Sequence, residues 1–200
     1  MKISRRLWKS TYGAVGAEFA IAVPLLLMFI FGIIDVGRLM WTWNRAEKAT
    51  QMGARYAAVT DMASVGLASY DFFSGGIARG DPIPESSFGG ATCTSTGCSC
   101  KTGATCPDVG ALAPGFANTV AWMQKFMPGI QPANVEIEYS YSGIGYAGDP
   151  YGPDINPLIT VRLVNMNFHP TLGYFWGLSI SMPPFASTLS MEDGSGTISN

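Results

Sequence analysis

Residues 14–34 read AVGAEFAIAVPLLLMFIFGII, and this stretch decides the architecture of the chain. Glu18 is its single charged residue, and residues 19–34 form an uninterrupted apolar run. As a helix the whole stretch is about 31 Å long, which matches a hydrocarbon core of roughly 30 Å. It therefore predicts a transmembrane helix, with Trp41 and Trp43 as aromatic anchors at the far interface.

A basic segment, MKISRRLWKSTYG, precedes this helix at residues 1–13. It contains no acid and four positive charges, on Lys2, Arg5, Arg6 and Lys9. Such a cluster stays in the cytoplasm, so the remaining chain is expected on the other side of the membrane. A cleaved secretory signal peptide is disfavoured because no A-x-A-like cleavage site follows Ile34.

Two acids stand at the ends of the apolar run, Glu18 and Asp35. In one interpretation they only mark the depth of the two interfaces. In the other, Glu18 pairs with a positive group such as an α-amine created by proteolysis nearby, because a carboxylate in an apolar helix usually has a partner.

The N-terminal pattern resembles the TadE/TadG-like pseudopilins of the Tad (tight adherence, Flp-type) pilus system. The basic leader is followed by GAVGAEF, AIAVPLLL and GIIDVGR, at residues 13–19, 20–27 and 32–38, and then by a small-residue helix at 46–58 containing Gly53-Ala54-Arg55. Phe19 stands where relatives often have tyrosine, and Asp35 where many have glutamate.

The resemblance implies a processing site and a set of partners. A prepilin peptidase would cut between Gly13 and Ala14, leaving Glu18 as the fifth mature residue and assembly contact and Phe19 as the sixth. The implied partners are that peptidase, other pilins and pseudopilins, inner-membrane platform proteins of the Tad system, and membrane lipid. The implied location is the bacterial inner membrane, with a single pass, a cytoplasmic N-terminus, a periplasmic C-terminal domain and association with the pilus.

The fold class expected is α+β, a long transmembrane helix that continues into a small periplasmic antiparallel-sheet domain with a disulfide-stapled loop. The expected boundaries are a leader at 1–13, a transmembrane helix at 14–43, a helix extension at 44–60, a Gly/Ser/Cys-rich loop region at 61–113 and the α+β domain at 114–200.

Within the extension one stripe of small and apolar residues recurs every three or four positions: Leu39, Trp43, Ala46, Thr50, Gly53 and Ala57. We expect this stripe to pack on its own domain rather than on a neighbouring helix. Further along, residues 116–127 predict an amphipathic helix, and residues 135–141, 158–168 and 186–192 predict strands.

All four cysteines lie in the loop region, at Cys93, Cys98, Cys100 and Cys106. A position outside the membrane favours structural disulfides, and three pairings are possible. A Cys98–Cys100 bond is the least favoured because it closes a very tight ring. A zinc site and a redox pair are weaker alternatives, since the C-x-x-C spacing is missing.

The sequence predicts no catalytic residue, no cofactor and no metal. Glu136 and Glu138 share a strand face that we expect to be wet, and the spacing of Asp149 and Asp154 lacks the pattern of a calcium-binding EF loop. His169 precedes a proline and is expected in a solvated turn. A net charge of −2 and a pI near 5.3 argue against a nucleic-acid partner.

Seven aromatic residues are left with two interpretations, a contact surface or a small core: Tyr139, Tyr141, Tyr146, Tyr151, Tyr174, Phe175 and Trp176. The function that the resemblance implies is that of a minor pseudopilin, a structural assembly protein of a Tad (Flp) type IV pilus or related secretion system. The alternative is a single-pass anchored extracytoplasmic binding or adhesion module that is never processed. An anchored enzyme ranks third because nucleotide-binding loops and the G-x-S-x-G elbow are missing from the sequence.

Overall fold

The computed structural model describes residues 11–150, 153–173, 177–192, 194 and 196. These residues fall into two compact units. The first contains residues 11–42, 167–173 and 177–180, and the second contains residues 43–150, 153–166, 181–192, 194 and 196. The overall class is α+β, as the sequence predicts.

Helix α1 runs from Thr11 to Val59 without a break, 49 residues that correspond to about 74 Å. Pro24 lies inside it and removes one backbone N–H from the hydrogen-bond ladder. The helix passes the length and hydropathy criteria for a membrane span near the N-terminus. The helix ends at Val59.

Helix α1 buries four of the six residues in the stripe predicted from the sequence, whereas Leu39 is half-buried and Trp43 is exposed. Ala46, Thr50, Gly53 and Ala57 are all buried. A Cβ placed on Gly53 would lie 2.7 Å from the Cγ atom of Met123 and 3.4 Å from a Cγ atom of Val161. Because glycine has no side chain, the helix packs closely on its own domain there, as expected.

A five-stranded antiparallel sheet forms the centre of the second unit, in the order β2-β1-β3-β4-β7. Its strands are β1 (Gly90–Thr94), β2 (Gly97–Cys100), β3 (Val135–Ser140), β4 (Leu158–Leu163) and β7 (Phe185–Ser190). In the register of the two central strands, Ile137 lies opposite Val161 and Tyr139 opposite Ile159. All four side chains are buried and form the centre of the core.

The predicted second strand at 158–168 is divided in the structure. Strand β4 ends at Leu163, and a two-residue strand β5 (Asn167–Phe168) pairs in a separate ladder with β6 (Ile180–Ser181). Asn165, between β4 and β5, has a φ of 56°. This left-handed conformation interrupts an extended chain, and asparagine is one of the residues that adopts it readily.

Short elements also form in the region where the sequence predicts a loop. Strands β1 and β2 join the sheet there, and α2 (Val65–Ser69) is a five-residue helix capped by the side chain of Ser64. Strand β1, GATCT, has no run of large alternating apolar residues, so its pattern did not predict a strand. Gly90 begins it at a φ of 140°, where an added Cβ would lie 2.8 Å from the carbonyl oxygen of Tyr139.

The cysteines form two disulfides, Cys93–Cys98 and Cys100–Cys106. Cys93 and Cys98 lie directly opposite each other on β1 and β2, so the first bond crosses the hairpin. The second ties the end of β2 to the chain that follows. All four thiols are used, which leaves none to act as a zinc ligand.

Helix α3 (Pro114–Gln124) corresponds to the predicted amphipathic helix but begins and ends slightly earlier. A proline in the first turn starts it, because proline has no N–H to leave unsatisfied there. A 3₁₀ turn (Pro132–Asn134) then leads into β3.

Tyr139 resolves part of the question about the aromatic residues, because its side chain is buried in the core rather than on a contact surface. Its hydroxyl oxygen accepts a hydrogen bond from the backbone N–H of Ala63 at 2.7 Å. Burial raises the pKa of this phenol, although that hydrogen bond acts in the opposite direction. Tyr141 is half-buried and Tyr146 is exposed, while the other four lie outside the described residues: Tyr151, Tyr174, Phe175 and Trp176.

Candidate functional site: the N-terminal helix

The first part of α1 presents an apolar surface on every side. Its large side chains are about half exposed or more at most positions, with Phe19 at 70%, Leu25 at 63% and Phe29 at 67%. Within the described part of the chain, almost none of residues 15–34 is covered by another element. Exposing this much apolar area to water is unfavourable at roughly 25 cal/mol per Å², so lipid or other helices must cover it.

The four residues of the predicted processing site lie on the first turns of this helix. Gly13 and Ala14 follow its start at Thr11, and Glu18 and Phe19 come one turn later with exposed side chains. Residues four apart in a helix lie on one face, so position 14 is above Glu18. The charged leader residues, Lys2, Arg5, Arg6 and Lys9, lie outside the described residues.

Asp35, the first residue after the apolar run, has partners that sequence reasoning did not identify. Its carboxylate accepts hydrogen bonds from the backbone N–H groups of Thr171 at 2.8 Å and of Leu172 at 3.2 Å. Arg38, one turn further along α1, donates to the same carboxylate at 3.1 Å and also to the Thr171 hydroxyl. Asp35 is only 8% exposed as a result.

We call this arrangement the Asp35 clasp, defined by Asp35, Arg38, Thr171 and Leu172. The guanidinium carbon of Arg38 also lies 5.5 Å from the ring centroid of Phe168, a cation–π distance. The clasp thus holds the chain that follows β5 against the helix at the end of the apolar run. The spacing of Asp35 and Arg38 could have predicted their own ion pair. The partners 136 and 137 residues further along had no local signal.

The two glutamates of β3 were expected to be exposed to solvent, but Glu136 is half-buried and Glu138 is buried. Glu138 is 8% exposed, and its carboxylate accepts hydrogen bonds from Lys101, from Arg162 at 3.0 Å and from Ser140 at 3.0 Å. Burial alone raises the pKa of Glu138, but these three donors outweigh it and the pKa lies below its ordinary value. A general acid in glycoside hydrolysis needs the opposite shift, so this carboxylate stabilises the sheet as an ion-pair residue.

The structure also shows the surroundings of Asp154 and His169, which the sequence analysis considered as candidate site residues. The buried carboxylate of Asp154 accepts backbone N–H bonds from Phe72 and from Asp149, each at 2.8 Å, and so ties two loops together. Among the residues that the structure describes, no three His, Cys, Asp or Glu side chains are grouped as a metal site. His169 is exposed beside Pro170, as expected for a turn.

Comparison with known protein families gives a match to the N-terminal part of the chain. A family described as TadE-like protein matches residues 13–55, while no curated protein and no solved structure matches the chain significantly. The matched segment is α1 from Gly13 to Arg55, and it includes the apolar surface, Glu18 and the helical half of the Asp35 clasp. Over residues 13–55 the chain is similar to the TadE-like family.

Proposed function

We propose that this protein is a minor pseudopilin of a Tad (Flp) type IV pilus or related secretion system, a structural assembly protein rather than an enzyme. The observation that carries the proposal is the exposed apolar surface of residues 15–34 with Glu18 as its single charge, inside the segment that matches the TadE-like family. A filament of packed helices would cover such a surface after the subunit leaves the bilayer.

In this proposal a prepilin peptidase cuts between Gly13 and Ala14. The cut removes the basic leader, residues 1–13, and with it four positive charges that hold the N-terminus in the cytoplasm. The new α-amine on Ala14 lies one helical turn before Glu18 and pairs with that carboxylate or with the Glu18 of a neighbouring subunit. Loss of the leader frees the helix to move outward.

The rest of the chain is then periplasmic. In this proposal the membrane-spanning segment is 14–43 and the helix extension is 44–60. They are followed by the Gly/Ser/Cys-rich region at 61–113, whose strands β1 and β2 join the sheet, and by the α+β domain at 114–200. The two disulfides support this side of the membrane, because such bonds persist in oxidising compartments. The proposed partners are the peptidase, other pilins and pseudopilins and the inner-membrane platform proteins.

The test is the intact mass and N-terminal residue of the full chain, produced in the membrane with and without a Tad prepilin peptidase. A chain that starts at Ala14 only when the peptidase is present supports a processed pseudopilin. A matched variant, Gly13→Leu, should keep Met1 in both preparations while still entering the membrane. An unchanged start for the wild-type chain beside an active peptidase would overturn the proposal and favour an unprocessed anchored module.

A further inference from the structure

The Asp35 clasp attaches a second part of the chain to α1 directly after an apolar run long enough to cross the hydrocarbon core of a bilayer. Residues 15–34 are twenty in number, and as a helix they cover about 30 Å, the thickness of a hydrocarbon core. The next residue is Asp35, and its carboxylate accepts hydrogen bonds from Thr171 and Leu172. The segment that follows β5 is therefore attached to the helix at the end of its apolar run.

This segment is uncharged and apolar. Residues 167–180 contain no Asp, Glu, Lys or Arg in a chain that has 26 of them among 200 residues. The chain turns back on itself, because the N–H of Leu178 donates to the carbonyl oxygen of Gly173 at 2.9 Å. This turn leaves Leu178 55% exposed and Ile180 41% exposed within the same compact unit as the helix.

We propose that the turn formed by residues 171–173 and 177–180 contacts the lipid bilayer, at the boundary between headgroups and acyl chains of the outer leaflet of that membrane. Exposed leucine and isoleucine side chains are unfavourable in water but favourable at this boundary. We assign lipid as the partner of this turn because the clasp holds the turn directly beside the helix that spans the membrane. The turn is thus an interfacial anchor that sets the depth of α1.

Asp35 links the turn to the helix through its carboxylate. A carboxylate at the edge of the hydrocarbon core needs partners, and here two backbone N–H groups and Arg38 provide them. The clasp therefore keeps the acid stable at the boundary and holds the turn beside it. This position depends on insertion of the helix into a membrane, as the proposed function requires, but not on cleavage or on pilus assembly.

The test measures the depth of a fluorescent label in phosphatidylcholine vesicles containing the full chain. All four native cysteines are in disulfides, so a cysteine introduced by Leu178→Cys is the only free thiol for labelling. Lipids carrying bromine at different depths then quench the label. We expect the strongest quenching from bromines about 5–10 Å below the headgroups.

Two matched proteins complete the experiment. A label at Leu25→Cys, in the middle of the apolar run, should be quenched most by the deepest bromines and reports that the helix has inserted. Adding Asp35→Ala to Leu178→Cys should release the turn and abolish the shallow quenching, while the Leu25 label in the same Asp35→Ala background stays deep.

The outcomes separate this inference from the proposed function. A label at 178 that is quenched only by aqueous iodide while the Leu25 label remains deep would overturn the membrane contact. Shallow quenching that persists in the Asp35→Ala protein would overturn the part assigned to the clasp. A chain that is never cleaved by the peptidase but shows clasp-dependent shallow quenching would retire the pseudopilin proposal and retain the interfacial anchor.

Discussion

The carboxylate of Asp35 accepts a hydrogen bond from the backbone N–H of Thr171, 136 residues further along the chain, at 2.8 Å. This bond explains how an acid is stable directly after an apolar run, since the carboxylate is satisfied by the chain itself. It also gives the part of α1 that follows the apolar run a definite tertiary contact.

Replacing Asp35 with alanine is expected to loosen the Thr171–Leu172 segment. Two backbone N–H groups lose their acceptor, which costs on the order of 1–3 kcal/mol in local stability. Hydrogen exchange of peptides covering 169–173, in detergent-solubilised full chain, measures the effect. Asp35→Asn keeps one acceptor oxygen and should exchange at an intermediate rate.

The control is Glu47→Ala, which removes an exposed acid from the same helix. Its exchange over residues 169–173 should match that of the wild type. Equal exchange in the Asp35→Ala and wild-type proteins would show that the carboxylate does not hold this segment.

Glu18→Ala is expected to insert into the membrane at least as well as the wild type and to lose assembly. Removing a charge from an apolar helix lowers the insertion cost, which is about 2.5–3.5 kcal/mol at a helix centre and less near an end. Co-purification with other Tad pseudopilins after crosslinking measures assembly, and resistance to carbonate extraction measures insertion. Glu47→Ala should leave both unchanged, and an intact adhesion function with Glu18→Ala would contradict the assembly role.

Gly115→Ala is expected to destabilise the second unit by about 1–3 kcal/mol, because the new methyl group has no space. Its Cβ would lie 2.1 Å from the carbonyl oxygen of Asp61 and 2.6 Å from that of Met62, and backbone atoms move only with their whole segment. The fall in Tm of the full chain in detergent checks this. Gly129→Ala, whose Cβ meets nothing within 4 Å, should leave the Tm nearly unchanged.

Protonation of Glu138 is expected to lower the stability of the second unit in acid. Its folded-state pKa lies below the ordinary value of 4.5, so the stability it contributes is present above that pH and is lost as the pH falls through the folded pKa. Glu138→Gln should therefore flatten the decrease in unfolding free energy below pH 4.5. Glu136→Gln, on the same strand face, leaves the Lys101 and Arg162 ion pairs of Glu138 in place and should retain the wild-type pH dependence.

The two disulfides are expected to be reduced in order. Cys100 is exposed whereas Cys93 is fully buried, so a reductant should reach the Cys100–Cys106 bond first. Partial reduction followed by maleimide labelling and peptide mass analysis checks the order, and the untreated chain should take up no label. Labelling of Cys93 and Cys98 before Cys100 would contradict the burial seen in the structure.

The parts of the fold that could be predicted are those that depend on local properties of the sequence. The apolar run of residues 14–34 indicates a membrane span through its length and hydropathy alone, and the alternation in β3 indicates a strand with one buried face. The small-residue stripe indicates a close approach of another backbone. Each of these signals comes from neighbours within a few positions, so no knowledge of distant contacts was needed.

Other features depended on contacts between distant segments. Strand β1 has a weak local pattern and becomes a strand because it pairs with β3, where Cys93 lies opposite Ile137. The cysteine pairing follows from the register of β1 and β2, which places Cys93 against Cys98. Sequence spacing left three pairings open because it contains no information on that register.

Reasoning from the sequence alone predicted a helix long and apolar enough to span a membrane, with one carboxylate near its start, followed by an α+β domain with disulfide-bonded cysteines. The folded structure was needed to see that Asp35 accepts hydrogen bonds from Thr171 and Leu172, and that Glu138 is a buried ion-pair residue rather than a solvent-exposed one. The physical reason is that hydropathy and periodicity belong to a segment. A hydrogen bond across more than a hundred residues belongs to the folded chain.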